Sequence, residues 1–457
     1  MAGRFGTDGV RGVANSAVTA ELALALGRAV VTVLGVDRVV TSRDTRLSGP
    51  MLESAVLAGA ASQGAHAVSM GVAPTPAVAQ FCAGEDTTAG VVVSASHNPF
   101  GDNGLKVFAP GGRKLTDDQQ HTIELVLEDL LGSGTDTDRV AAAPRPTGAS
   151  VGTTGLLESP LEAYEASLVS LLEGRNLTGL SVVLDCANGA NSSIAPRLLR
   201  SLGVSLEVIA DHPDGVNIND GCGSNHPEGL AASVAGRSAD LGIAFDGDAD
   251  RIAAVDHTGR IVDGDHLMAM CAIDLHERGQ LTNDTVVVTV MTNLGFRRSM
   301  ERHGISVVET PVGDRHVLEA LHSGGHSLGG EQSGHIVFAR HSTTGDGLLS
   351  ALVVLDLVRR SGRSLGELAD AAMTRLPQVL INVPVDEPMP DVAERLADQV
   401  AAAESELDGA GRVVLRPSGT EPVVRVMVEA ESEQRAEEVA RALAAAVADA
   451  PGGPPGV

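Results

Sequence analysis

Short runs of β-branched and apolar residues recur along this 457-residue chain: VVVSA at 91–95, SVVLD at 181–185, LGIAF at 241–245, TVVVTVM at 285–291 and SVVE at 306–309. Helix-length stretches separate each run from the next. Such runs are buried on both faces and need helices to cover them, so the spacing predicts repeated βαβ units and mostly parallel sheets. Seven Phe, one Tyr and no Trp leave Val, Leu, Ile and Ala to fill the core. Residues 19–35 (TAELALALGRAVVTVLG) combine a Thr N-cap, an acidic first turn and a closing Gly, which predicts a helix. A strand is expected at 38–42 and a second helix at 50–64.

At ~100–200 residues per domain the length suggests about three domains, with two or four also open. The segment 132–155 is rich in Gly, Ser, Thr and Pro and is the best linker candidate. A second break is expected near 251–264, and a small α+β terminal unit from near 361–377. In that unit, 412–415 and 423–430 flank a Pro/Gly turn as a hairpin would, and 433–448 is an Ala-rich helix. The closing PGGPPGV is expected to be disordered.

Lys and Arg total 33 against 59 Asp and Glu, a net charge of −26. That field repels nucleic acid and anionic lipid, so neither is expected as a partner, and a phosphate-bearing molecule binds only where cations or a metal reverse it. No apolar run approaches the ~18 residues of a membrane span. Residues 1–13 carry no apolar stretch of signal-peptide length, so a cytoplasmic location is expected. Cys82, Cys186, Cys222 and Cys271 show no CxxC spacing and are expected as free thiols. Lys106 and Lys114 are the only lysines; a chain that otherwise uses Arg keeps Lys where an amine that can titrate is needed.

Four loops carry chemistry. Ser94-Ala95-Ser96-His97-Asn98-Pro99 follows a buried strand, where open α/β sheets collect ligands and where a small nucleophile is well placed. Asp246-Gly247-Asp248-Ala249-Asp250-Arg251 also follows a strand; its three carboxylates converge if the loop curls, and hard oxygen ligands suit Mg²⁺ or Ca²⁺. An EF-hand is excluded, since Arg251 stands where Gly is needed and His257 where Glu is needed. In Gly329-Gly330-Glu331-Gln332-Ser333-Gly334-His335, Glu331 and Ser333 can bond hydroxyls or an ammonium while the glycines admit a close approach. Arg416-Pro417-Ser418-Gly419-Thr420-Glu421-Pro422, with Arg425 beyond, offers a phosphate cradle. Each alone also reads as an ordinary turn, but phosphoryl transfer on a sugar phosphate uses all four.

With Phe5-Gly6-Thr7-Asp8-Gly9-Val10-Arg11-Gly12, the ordered motifs SASHNP, DGDADR, GEQSGH and RPSGTEP resemble the α-D-phosphohexomutase superfamily, and within it the bacterial phosphoglucosamine mutases. The resemblance spans residues 4–425. It implies an α/β fold of three related mixed-sheet domains and a smaller C-terminal α+β domain around a central cleft. The expected ranges are 1–150 with the phosphoserine loop, 151–252 with the metal loop, 253–365 with the sugar loop, 366–450 with the phosphate loop, and the tail 451–457.

The resemblance further implies that Ser96 is phosphorylated and shares one Mg²⁺ with Asp246, Asp248 and Asp250, and that Ser94 is not the nucleophile. It places Arg11, His97, Lys106 and Arg251 around the serine, Gly313, Glu331 and Ser333 on the sugar, and Arg416, Ser418, Gly419, Thr420 and Arg425 on the substrate phosphate. The expected reaction interconverts glucosamine 6-phosphate and glucosamine 1-phosphate through a hexosamine 1,6-bisphosphate, which also serves as activator. Lys106, with a lowered pKa, is expected to move the hydroxyl proton, and His335 is the second candidate. A homodimer is also implied. A phosphomannomutase/phosphoglucomutase, a non-catalytic phosphosugar-binding module and a phosphatase stand as alternatives. The superfamily commonly has Gly where this chain has Ser42, and a small local adjustment is expected there.

Overall fold

A computed structural model describes residues 5–6, 8–132, 145–387, 389–417 and 422–450. Among these residues the strands form sheets of seven, five, four and three members. The anticipated first helix is Ala20–Leu34: Thr19 Oγ1 accepts from Leu22 N, and Gly35 closes it in the left-handed region at φ 62°. The strands Arg38–Arg43 and Thr88–Val93 run parallel, and all six residues of the second are buried. That is the geometry a continuous apolar run demands.

In each of the first three sheets an interior strand leaves into a loop and returns antiparallel on itself. Thr88–Val93 is followed by Asp102–Ala109, Leu241–Phe245 by Ile252–Asp256, and Leu328–Gly330 by Ile336–Phe338. The C-terminal sheet repeats the device with Arg412–Pro417 and Val423–Glu429. The first three motif loops are thus hairpin turns, and the fourth motif spans the facing ends of the last two strands. The sheets are accordingly mixed, as the resemblance implied, rather than mostly parallel as the spacing alone suggested.

The sheets also move the expected breaks. Thr154–Leu156 pairs with His66–Val72 in the first sheet, so that unit runs beyond residue 150. Ile252–Asp256 and Ile261–Val262 complete the second sheet, so a break at 252 would divide a hairpin. Helix Leu365–Ala372 packs on Gly264–Glu277 of the third unit, and the fourth sheet opens with Gln378–Pro384. These breaks are invisible in composition because a returning strand needs no linker. The tail 451–457 lies outside the described residues.

Ser42 is fully buried, its hydroxyl has no partner among the described residues, and the pairing of its strand with His66–Val72 shifts register between Thr41 and Arg43. All four cysteines are free thiols, and among the described residues no helix is long and apolar enough to cross a membrane.

Candidate active site

Ser96 is a non-glycine residue in the left-handed region, at φ 52°, a conformation that persists only when its surroundings over-determine it. They do. The fully buried Arg46 guanidinium donates from Nη2 to the Ser96 carbonyl at 3.0 Å and the Asn98 carbonyl at 2.7 Å, and from Nη1 to the Asp102 carbonyl at 3.0 Å and to that of Pro99. Asn219, from the second domain, donates to the same Ser96 and Asn98 carbonyls at 2.9 and 3.1 Å. The Ser94 hydroxyl donates to Asp44 at 2.6 Å and accepts from Ser96 N at 2.9 Å, so it is committed to shaping the loop.

The Ser96 hydroxyl donates to Asp246 Oδ2 at 2.5 Å. Asp246, Asp248 and Asp250 are buried, each offering an oxygen within 4.8 Å of the others. The loop curls because Ala249 adopts φ 63° and because residue 247 is Gly: a Cβ there would lie 2.5 Å from the Ser96 carbonyl oxygen. Asp248 Oδ1 and Asp250 Oδ1 are buried without a hydrogen-bond partner among the described residues. Burial, then the charges of Asp250 and Asp248, push Asp246 well above the usual carboxylate range. Three converging carboxylates with orphaned oxygens beside a hydroxyl fit a hard divalent cation.

Lys106 is 1% exposed and lies 2.7 Å from Asp248, 2.9 Å from Asp250 and 2.8 Å from Asp8. Burial alone would lower its pKa, but the three carboxylates outweigh burial and raise it well above the usual value. The expected lowering is therefore not found among these residues, because three carboxylates contact the ammonium while Arg11 opposes them more weakly. Burial, then Arg251 and Arg11, lowers His97 to about 4, leaving a neutral imidazole whose Nδ1 is 3.3 Å from Ser96 Oγ. Arg11 pairs with Asp8, and Arg251 Nε stands 3.8 Å from Asp250.

On the third domain, Gly313 N donates to Glu331 Oε1 at 3.2 Å, fixing the carboxylate. Ser333 is exposed beside it. His335 is buried, and its Nε2 accepts from Gly345 N at 3.2 Å. Its Nδ1 is buried without a hydrogen-bond partner among the described residues. On the fourth domain, Arg416 stands opposite Arg425 across the hairpin, and Glu331 is an electrostatic neighbour of Arg416. Ser418, Gly419 and Thr420, expected on the substrate phosphate, lie outside the described residues.

Arg46, Thr75, Asn219 and Asp314 were not read as site residues, while Asp8 was named only within a motif and Lys114 only as a scarce amine. Thr75 Oγ1 donates to Asp248 at 2.6 Å, and Lys114 joins Asp8 to Asp314.

Four family descriptions cover the chain: phosphoglucomutase/phosphomannomutase alpha/beta/alpha domain I at residues 2–130, domain II at 162–259, domain III at 263–376, and the C-terminal domain at 380–446. The chain is 53% identical over 456 residues to the phosphoglucosamine mutase of Frankia alni, with 97% of each covered. Its fold is similar to a phosphoglucomutase/phosphomannomutase family protein of Burkholderia thailandensis, with a TM-score of 0.80, 26% identity and 99% of each chain covered. It is also similar in fold to the Aspergillus fumigatus N-acetylphosphoglucosamine mutase, with a TM-score of 0.68, 19% identity, and 98% and 96% covered.

Proposed function

The chain belongs to the phosphoglucomutase/phosphomannomutase family, and from that premise we propose that it interconverts glucosamine 6-phosphate and glucosamine 1-phosphate through phosphorylated Ser96 and a 1,6-bisphosphate. The observation that carries this reading is the Ser96 hydroxyl, held 2.5 Å from Asp246 within a buried trio of carboxylates. The amino-sugar substrate is supported by the 53% identical Frankia alni relative.

Asp246, Asp248 and Asp250, with an oxygen of the Ser96 phosphate, would hold one Mg²⁺. When bound, the ion offsets the charge of the phosphoserine, about −1.5 to −2 near neutral pH. The rest of the work falls to the chain. The Ser96 backbone, pinned by Arg46 and Asn219, aims Oγ into the site. Arg11, Lys106 and Arg251 supply positive charge for the equatorial oxygens of a loose transition state, in which positioning and electrostatics do most of the catalysis.

In the forward half-reaction the bond from Ser96 Oγ to phosphorus breaks, the 1-hydroxyl oxygen of the sugar takes the phosphoryl group, and the proton of that hydroxyl ends on Ser96 Oγ. In the reverse half-reaction the 6-phosphate of the reoriented bisphosphate returns to Ser96. Lys106, held against Asp248 and Asp250, is the first candidate to carry that proton and the buried His335 the second, while His97 offers a neutral ring 3.3 Å from Ser96 Oγ. Glu331 pairs with the 2-ammonium beside Gly313 and Ser333, and Arg416 and Arg425, with Ser418, Gly419 and Thr420, grip whichever phosphate is not reacting. The bisphosphate is also the natural source of phosphate for an empty enzyme. We further place the protein in the cytoplasm, as a homodimer.

The decisive experiment is Ser96→Ala. It should abolish both the phosphate seen by intact mass after incubation with a hexose 1,6-bisphosphate and mutase turnover; turnover retained by the alanine variant refutes the mechanism. A wild-type preference for mannose 6-phosphate or glucose 6-phosphate over glucosamine 6-phosphate refutes the substrate.

A further inference from the structure

Lys114 ends the short strand Arg113–Lys114, which pairs with Asp102–Ala109, the strand that carries Lys106. Its ammonium forms an ion pair with Asp8, lies 3.1 Å from Asp314 Oδ2 and 5.4 Å from the Phe108 ring centroid. Asp8 in turn holds Lys106 at 2.8 Å and pairs with Arg11. Asp314 opens the helix Asp314–Gly324 of the third domain. The residue before it, Gly313, donates to Glu331, and Asp314 Oδ2 is 3.9 Å from His335 Nε2. One ammonium thus stands between the charge cluster behind Ser96 and the segment that anchors the sugar loop.

Two other charged contacts of this seam are wetter. Arg113 meets His322 at 3.0 Å in an exposed contact, and Arg315 pairs with Asp117, whose side chain is 85% exposed. The side chains of Lys114, Asp8 and Asp314 are 11%, 17% and 10% exposed. Exposed pairs contribute little, whereas removing one partner of a buried pair leaves an uncompensated charge. Well-packed apolar residues would stabilise a seam as well as buried charges do, so such a bridge is better explained by register than by stability. The carboxylates keep the bridge charged: burial works against the Lys114 ammonium, but Asp314 and Asp8 outweigh it.

We propose that Lys114 is a positioning residue, a latch between Asp8 and Asp314 that holds the Gly313–Glu331 sugar-reading segment in register with Ser96. The inference rests on the phosphoglucosamine mutase reading and adds to it a determinant of substrate placement outside the reacting atoms.

The test uses the full chain carrying Lys114→Met, Asp314→Asn, both together, Lys114→Arg, or Arg113→Ala. Lys114→Met and Asp314→Asn should each raise KM for glucosamine 6-phosphate about tenfold with kcat within about threefold. The double variant should be no worse than the worse single, because one interaction is removed either way. Lys114→Arg should recover part of the loss, and Arg113→Ala should change neither constant. A fall in kcat at unchanged KM, or single effects that multiply in the double, overturns the latch. If Lys114→Met does not fold, the near-isosteric Asp314→Asn carries the same test. If the wild-type chain does not turn over glucosamine 6-phosphate, the functional reading fails by itself. The latch is then judged by hydrogen exchange, which must speed up at residues 313–316 in Asp314→Asn; unchanged exchange there refutes it.

Discussion

Arg416 stands directly opposite Arg425 on the antiparallel ladder of the C-terminal sheet. Directly opposed residues share a face, and like charges so placed repel. Burial, then Arg425, lowers the pKa of Arg416. A phosphate bound across both guanidinium groups relieves the repulsion through charge-assisted, bidentate hydrogen bonds. Arg416→Ala or Arg425→Ala should therefore raise KM by about 10–100-fold for glucosamine 6-phosphate and glucosamine 1-phosphate alike, with a smaller effect on kcat, as hydrogen bonds to charged groups are worth ~1.5–3 kcal/mol. Steady-state kinetics in both directions check this; a loss confined to one direction contradicts a pocket that holds either phosphate.

Removal of divalent metal should stop turnover, and Mg²⁺ should restore it, because the buried oxygens of Asp248 and Asp250 are orphaned without a cation. Asp248→Asn should lower kcat by at least about 100-fold, on the scale of losing one transition-state electrostatic contact. Isothermal titration with Mg²⁺ checks that binding weakens in step, and unchanged binding in the variant would remove Asp248 from the ligand set.

Asn219→Ala takes away two bonds to the loop that carries Ser96, at 2.9 and 3.1 Å. With each worth ~0.5–1.5 kcal/mol, kcat should fall about 10-fold while the melting temperature shifts by only a few degrees. Rapid quench of phosphoryl transfer from the labelled serine isolates the step. Single-turnover transfer at the wild-type rate would show that the loop holds its shape without the second domain.

Asp265, in the helix Gly264–Glu277, accepts from Asn293 N at 2.9 Å while its other oxygen has no partner among the described residues. Burial, then Asp263, raises it to about 7 from the ordinary 3.8. Between those values the folded chain keeps a proton that the unfolded chain has released. Its contribution to stability is full below about pH 4, falls as pH rises to about 7, and is flat beyond. Asp265→Asn should remove this dependence and stabilise the chain at pH 8 by about 1–3 kcal/mol, with little effect at pH 4. Urea denaturation across pH 4–8 measures it, and parallel curves for the two proteins would contradict it.

The candidate metal trio was legible because its chemistry is local: three carboxylates at alternate positions, with Gly and Ala between them to leave room, converge where the loop curls. Lys106 was located for the same reason, as a scarce amine, but the carboxylates around it were not legible as its neighbours. Its pKa depends on Asp8, Asp248 and Asp250, residues from two domains whose approach no local pattern reveals. Arg46 and Asn219, 50 and 123 residues from Ser96, left no trace, since one Arg or Asn in a turn looks like any solvated side chain.

The sequence by itself determined the alternation of buried strands and helices, the order of the four chemical loops, and the free thiols. All follow from apolar periodicity, turn chemistry and residue type within a few positions. The tertiary structure decided that one interior strand in each of the first three sheets returns on itself as a hairpin, which shifted the domain breaks. It decided that Ser96 meets Asp246 across 150 residues and that both lysines share Asp8. Such contacts are set by how separate sheets pack, and a charge buried at a domain seam acquires its meaning only from the partner brought to it.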